Sequence, residues 1–419
     1  MLRARAWIDA DAIAANSATL AAVAAPARLC AVVKADGYGH GAALAARAAL
    51  AGGASWLAVA TAEEARALRA AGLGASLLVL GALSAPELDV ALAAGADVVA
   101  WDERFADAVA ARAAGGGSAP VGVHVKLDSG MGRLGTRDVE QATRVAERVA
   151  ASPALRLAGA MTHFATSDDD PDFMAAQLAR FTPWANALRE RHPGLLRHAA
   201  NSAAVLRGPA VQLDLVRCGV ALYGLDPFQR DAAAHGLRPA LELVSYVAAV
   251  KRARRGESAG YGRRFVAERE TWLATIPIGY GDGVRRGLTN RVDVLVGGRR
   301  VPLAGTVSMD NVTVDLGPDG AAVPIGTEAV LLGTRGDERI RAEDWASALG
   351  TINYEIVCGI SARVPRVPRG TAAAGEAGTH GAGADAAGGS GAYGADAAGG
   401  AGADAAGAHG AGAAGEGGA

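Results

Sequence analysis

The chain has 419 residues, enough for two or three domains, and a formal charge of −2 that leaves no basic face for nucleic acid. Its hydrophobic fraction is 51%, much of it alanine, and its three cysteines (Cys30, Cys218, Cys358) have no metal-ligand spacing, which fits a reduced cytoplasm and no zinc site. Neither a run of about 20 apolar residues nor an N-terminal apolar h-region is visible, so a soluble cytoplasmic protein with no membrane span is expected.

The opening strand, Arg5–Ile8 within residues 1–10, has no evident neighbour nearby and is expected to join a later sheet. From residue 29 to about 225, short β-like runs alternate with helix-like segments. The runs are Leu29–Val33, Trp56–Ala60, Leu77–Leu80, Asp97–Trp101, Val121–Leu127, Leu155–Thr162, Leu195–Ala199 and Leu213–Cys218. Between them lie segments such as Thr61–Ala71 and Arg137–Ala151, with Thr61, Ser84 and Thr136 as candidate N-caps. This alternation predicts an α/β fold, a (β/α)8 TIM barrel over residues 11–238. An open doubly wound sheet is the alternative, but no G-x-G-x-x-G turn follows the first strand.

After Pro239 the runs Val244–Val250, Trp272–Ile276, Val292–Val296, Val312–Val314 and Ala329–Leu332 are separated by Gly, Asp and Pro, with one helical window near Ala342–Leu349. They predict a mainly β C-terminal domain over 239–368. From 369 to 419 the composition falls to Ala and Gly, and Gly-Ala-Asp-Ala-Ala-Gly begins at Gly383, Gly394 and Gly402. Such a tail is expected to be disordered and without a catalytic role.

Of 41 basic residues only three are lysines: Lys34, Lys126 and Lys251. Arginine stays protonated, whereas a lysine amine can lose its proton and act as nucleophile or base. Lys34 follows the first barrel strand and precedes the turn Ala35-Asp-Gly-Tyr-Gly-His-Gly41, a setting for Schiff-base chemistry. Later strand ends carry Lys126-Leu-Asp-Ser-Gly-Met-Gly-Arg133, Thr162-His163, Asn201-Ser202 and Arg217-Cys-Gly219. A lysine, two arginines, a histidine and a hydroxyl therefore converge on one face of the barrel. Tyr38, Ser202 and Gly219 suit an anion site built of neutral donors. Lys251, in Val250-Lys-Arg-Ala-Arg-Arg255, reads as a solvated basic run.

Val33-Lys-Ala-Asp-Gly-Tyr-Gly-His-Gly41, Lys126–Gly135, Arg217-Cys-Gly-Val-Ala-Leu-Tyr-Gly224, Gly260-Tyr-Gly262, Pro277–Gly283, Gly305-Thr-Val-Ser-Met-Asp310 and Asn353-Tyr-Glu-Ile356 occur in this order. Together they resemble the motif set of the bacterial alanine racemases across nearly all of residues 1–368. The resemblance implies that pyridoxal 5′-phosphate is bound covalently by Lys34, which serves one face of the substrate α-carbon while Tyr261 serves the other. It implies a relay from Tyr261 through His163 to Arg217, with Arg217 facing the pyridine nitrogen. Arg133 would contact the cofactor phenolic oxygen and the substrate carboxylate. Tyr38, Ser202, Gly219, Val220 and Tyr354 match the phosphate cradle. Met309 would offer its backbone N–H to the substrate carboxylate, and Asp310 belongs to the same motif. Lys126 matches a lysine that can be carbamylated to hold the neighbouring arginine. The resemblance also implies a homodimer in which Tyr261 and Ser308–Asp310 complete the partner's site, with alanine as substrate and D-alanine for peptidoglycan as the product's use.

Two positions depart from the family pattern. Ser308 stands where many members have cysteine, and Cys218 stands where proline is expected. A decarboxylase of the same plan would carry a cysteine near the partner site, so Ser308 and Gly260-Tyr-Gly262 argue against it. A non-catalytic pyridoxal-phosphate carrier would be a barrel alone. A broad-specificity racemase is the nearer alternative; it would usually carry an export signal, and none is visible here.

Overall fold

Short, mostly buried and largely apolar runs form the barrel strands, because a parallel strand covered on both faces needs no polar alternation. The computed structural model describes residues 2–115 and 119–371; the tail expected to be disordered lies, from residue 372, outside the described residues. After β1 (Arg5–Asp9) come β2 (Arg28–Val32), β3 (Trp56–Val59), β4 (Ser76–Val79) and β5 (Asp97–Ala100). Then follow β6 (Val121–Lys126), β7 (Leu155–Met161), β8 (Leu196–His198) and β9 (Leu215–Cys218). Strands β2 to β8 pair in sequence order, and β9 returns to pair with β2. Backbone bonds from Asp214 to Arg197 and from Arg217 to Ala200, both 2.9 Å, bring β8 against β9. The eight strands thus make a nearly closed (β/α)8 barrel, as the alternation predicts.

Helix starts follow capping chemistry. Thr61 and Ser84 head capping boxes with Glu64 and Glu87. The expected cap at Thr136 is displaced: Asp138 caps the helix Val139–Ala151 by accepting from Glu140 N, so the helix begins two residues later than its pattern suggests. Alanine-rich faces such as Ala45, Ala46, Ala48 and Ala49 are buried, so the small side chains are used for close packing. Among the described residues no helix is long and apolar enough to cross a membrane.

The second region is mainly β. It contains β10 (Leu241–Tyr246), β11 (Ala249–Ala253), β12 (Ser258–Ala259), β13 (Phe265–Val266) and β14 (Thr271–Ile276). It continues with β15 (Asp293–Val296), β16 (Arg299–Pro302), β17 (Val312–Gly317), β18 (Glu328–Arg335), β19 (Glu338–Ile340) and β20 (Arg366–Arg369). The larger sheet runs β16-β15-β18-β10-β1-β20, so the opening strand sits between β10 and the last strand. The single strand expected over Val244–Val250 is two strands. The chain leaves the larger sheet at Val247, bonded to Thr327, and enters the sheet β11-β14-β17 at Ala248, bonded to Thr275. A second helix, Asn353–Cys358, follows Ala342–Leu349. Arg369 lies in β20, and Thr371 N donates to Asp11 at 2.9 Å.

Candidate active site

At the C-terminal ends of the barrel strands lies a cavity of about 450 Å³. Beyond β2 the backbone makes a left-handed turn through Ala35, Asp36, Gly37 and Tyr38, with φ of 52°, 52°, 61° and 52°. Three of these residues carry a Cβ, which costs about 1–2 kcal/mol each in this region. Local bonds hold the turn. Asp36 accepts from Ala42 N at 2.9 Å, Glu64 from Ala35 N at 2.6 Å, and Gly37 N donates to Val33 O at 2.9 Å. Gly39 packs so tightly on the Val357 carbonyl that a Cβ would collide with it. The turn is thereby seated on Asn353–Cys358, and Lys34, Tyr38 and Tyr354 all face the cavity.

Four cations line this space: Lys34, Lys126, Arg133 and Arg217. Among the described residues no aspartate or glutamate lines it. Burial, and then the Arg133 cation, lowers the Lys34 amine below its ordinary range. Lys126 is pushed down to about 8 by burial and by Arg217 and Arg133. Asp128 accepts from the backbone of Gly130, Met131 and Gly132 at 3.1, 2.8 and 3.0 Å, shaping the loop that carries Arg133.

Arg217 is only 4% exposed. It donates to Thr162 O at 2.7 Å, Ala199 O at 3.0 Å, His198 Nδ1 at 2.8 Å and His163 Nδ1 at 3.2 Å. Burial brings the guanidinium down to about 10, so it stays charged at neutral pH. A guanidinium cannot accept, so His163 Nδ1 must, and a neutral His163 then carries its proton on Nε2. Burial and then Arg217 push His163 well below its ordinary range, which keeps it neutral.

The rest of the polar lining is a set of neutral donors. Ser202 Oγ accepts from Gly219 N at 3.0 Å and Ala221 N at 3.4 Å. The Tyr38 ring stacks on Tyr223 at 5.1 Å and lies 6.2 Å from Tyr354. Burial pushes both the Tyr38 and Tyr354 phenols up, so they remain protonated donors. Gly219 and Val220 complete this set.

Tyr261, Met309 and Asp310 do not line the cavity. Tyr261 is 73% exposed and Met309 52% exposed, both on the β region. Thr306 Oγ1 donates to the Tyr261 carbonyl at 2.6 Å, and Asn290 accepts from Gly305 N at 2.5 Å, which ties the two segments together. Asp310 pairs with Arg363 at 2.6 Å. Lining residues that sequence reasoning passed over include Cys358, Leu134 and Met161. Cys358 had a signal, four residues after Tyr354 and so on the same helical face.

Comparison with known proteins places this geometry. The family model for the alanine racemase N-terminal domain matches residues 8–227, and that for the alanine racemase C-terminal domain matches 240–368. The chain is 44% identical to the alanine racemase of Thermobifida fusca over 374 residues, covering 88% of this chain and 98% of that protein. It is 44% identical to the alanine racemase of Geobacillus kaustophilus over 364 residues, covering 86% and 93%. Among solved structures it resembles the alanine racemase of D-cycloserine-producing Streptomyces lavendulae, with TM-score 0.83, 39% identity and coverage of 88% and 98%. The alanine racemase of Streptomyces coelicolor A3(2) gives TM-score 0.82 and 40% identity, with the same coverage. With the strand-end cavity, the two matched domains and relatives aligned over almost their whole length, the chain belongs to the alanine racemase family.

Proposed function

We propose that the protein interconverts L- and D-alanine with pyridoxal 5′-phosphate, working as a cytoplasmic homodimer that supplies D-alanine for peptidoglycan. The observation that carries this reading is a lowered lysine amine in one cavity with a cradle of neutral hydroxyl donors, its lining carrying cations and, among the described residues, no carboxylate. That donor set fits the cofactor. Tyr38, Ser202, Tyr354 and the backbone at Gly219 and Val220 would hold its phosphate, Arg133 its phenolic oxygen and Arg217 its pyridine nitrogen. The free thiols of Cys30, Cys218 and Cys358 support a reducing compartment.

When bound, the cofactor supplies an electron sink for the pair left on the α-carbon after proton removal. Racemisation needs one group on each face of that carbon. Lys34 would take or return the proton on one face, helped by burial and Arg133, which favour its neutral amine. Tyr261 would act on the other face from the partner subunit, consistent with its exposure on the β region of its own chain. The His163 Nε2–H would link that phenol to Arg217. Arg133 and the Met309 backbone N–H would orient the substrate carboxylate. Asp310, paired with Arg363, would fix the Met309 segment. Lys126, lowered to about 8, has an appreciable neutral fraction, the form that takes up CO₂ and releases a proton to give a carbamate. That anion would hold Arg133.

The test is incubation with L-alanine in D₂O. Appearance of D-alanine with deuterium on the α-carbon of both enantiomers is expected. Loss of CO₂ from the substrate, or exchange with retained chirality, would overturn the reading.

A further inference from the structure

Arg217 makes its hydrogen bonds to carbonyls and imidazoles, yet a chain of side chains leads from it to an anion at the other end of the barrel. His198 Nδ1 accepts from Arg217 at 2.8 Å, His198 Nε2 meets His124 Nδ1 at 2.8 Å, and His124 Nε2 meets Asp97 Oδ2 at 3.2 Å. We propose that Asp97 is a positioning residue that acts through His124 and His198 to hold Arg217 in its catalytic setting.

The direction of every hydrogen bond in this chain is forced. An arginine can only donate, and an ionised aspartate can only accept. His198 Nδ1 is therefore an acceptor, its proton sits on Nε2 and points at His124, and His124 in turn carries its proton on Nε2 toward Asp97. Reading from Asp97 gives the same answer. A second proton on either ring would set N–H against N–H, so the chain admits one arrangement, with both rings neutral. Burial acts in the same direction at His198, which it holds well below its ordinary range. Asp97, 14% exposed, is also paired with the exposed Arg156 at 3.2 Å.

Two glycines make room for this chain. A Cβ on Gly122 of β6 would collide with the Asp97 carboxylate, and one on Gly159 of β7 would collide with His124 Nδ1. Neither glycine lies in the left-handed region, so space rather than backbone conformation explains them. The buried Arg217 cation thus has its negative counterpart relayed by two polarised rings, which offsets part of the cost of its desolvation. Pinned tautomers also keep a lone pair, never an N–H, against the guanidinium.

The catalytic consequence rests on the cofactor reading above, whereas the proton arrangement does not, so the two are measured separately. Nitrogen-15 NMR of the histidines in the full cofactor-free chain should show His124 and His198 each with its proton on Nε2 and a bare Nδ1. An Nδ1–H tautomer or an imidazolium at either position overturns the proposal. In Asp97→Ala, Arg217 still sets the tautomers, but the His124 Nε2–H loses its acceptor, so the His124 Nε2 resonance should shift, and in the loaded enzyme kcat should fall about tenfold or more with KM little changed. Asp97→Asn keeps an oxygen acceptor and should restore both readouts. An Asp97→Ala protein with the wild-type histidine spectrum and kcat would sink the idea, and if that variant does not fold, the wild-type spectrum decides. Correct tautomers in a protein that does not racemise alanine would contradict the functional reading and leave the relay standing.

Discussion

The Tyr38 hydroxyl rests directly on Gly219, so that a Cβ at this position would collide with it. Gly219 is thereby held between two members of the neutral-donor set, since Ser202 Oγ accepts from its N–H. Gly219→Ala must push Tyr38 aside, at about 1–3 kcal/mol of overpacking. Cofactor titration of the purified variant should show roughly tenfold weaker binding or worse. An unchanged Kd would mean that this contact does not shape the site.

A shared site can be read from complementation. Lys34→Ala and Tyr261→Phe should each abolish most racemase activity when made alone. Co-expressed in equal amounts, half of the dimers are mixed, and each mixed dimer has one site with both groups intact. Recovery of about a quarter of wild-type activity is expected from a two-fold symmetric dimer. No recovery would place Tyr261 and Lys34 of the same chain in one site.

Lys126 offers a chemical readout. With its amine lowered to about 8, it should take up labelled bicarbonate near neutral pH and give a carbamate carbon-13 resonance that Lys126→Arg lacks. The resonance should weaken as pH falls, because protonation removes the neutral amine. A spectrum identical in wild type and Lys126→Arg would rule out the modification.

His40 predicts an acid limit on stability. Its Nδ1 bonds the carbonyls of Tyr38 at 2.8 Å and Gly37 at 3.1 Å, and burial lowers its pKa from 6.5 to about 4. Below 6.5 the unfolded chain takes up a proton that the folded chain refuses, so stability is full above 6.5 and is lost as pH falls toward about 4. The loss from this group is at most about 3 kcal/mol. Urea unfolding at about pH 7 and about pH 4.5 should show a smaller difference for His40→Phe than for wild type. Equal differences would show that His40 is not responsible.

The barrel was legible because a buried parallel strand leaves a short apolar run, and the cavity was legible because its polar residues sit where those runs end. Lys34, Lys126, His163, Ser202 and Arg217 all follow that rule. What escaped was conformation without a local pattern. Ala35, Asp36 and Tyr38 have no intrinsic preference for positive φ and are held there by Glu64, Ala42 and the helix carrying Val357. The Val244–Val250 run hid a change of sheet, since both halves are equally β-like and only their partners differ. Asn353–Cys358 is too short for a helical period to stand out. His124 and His198 each look like an isolated polar residue in a strand, and only the closed barrel brings them to 2.8 Å.

Strand β1 pairs with β10 on one side and β20 on the other. Its neighbours are therefore made some 230 and 360 residues after it, at Leu241–Tyr246 and Arg366–Arg369. During synthesis the barrel can close once Cys218 has emerged, while the first strand of the chain waits with both edges unpaired. The larger sheet, which holds β1 between β10 and β20, is thus the last part to assemble, and a ribosome that stops early leaves a barrel with one loose, pairing-competent strand.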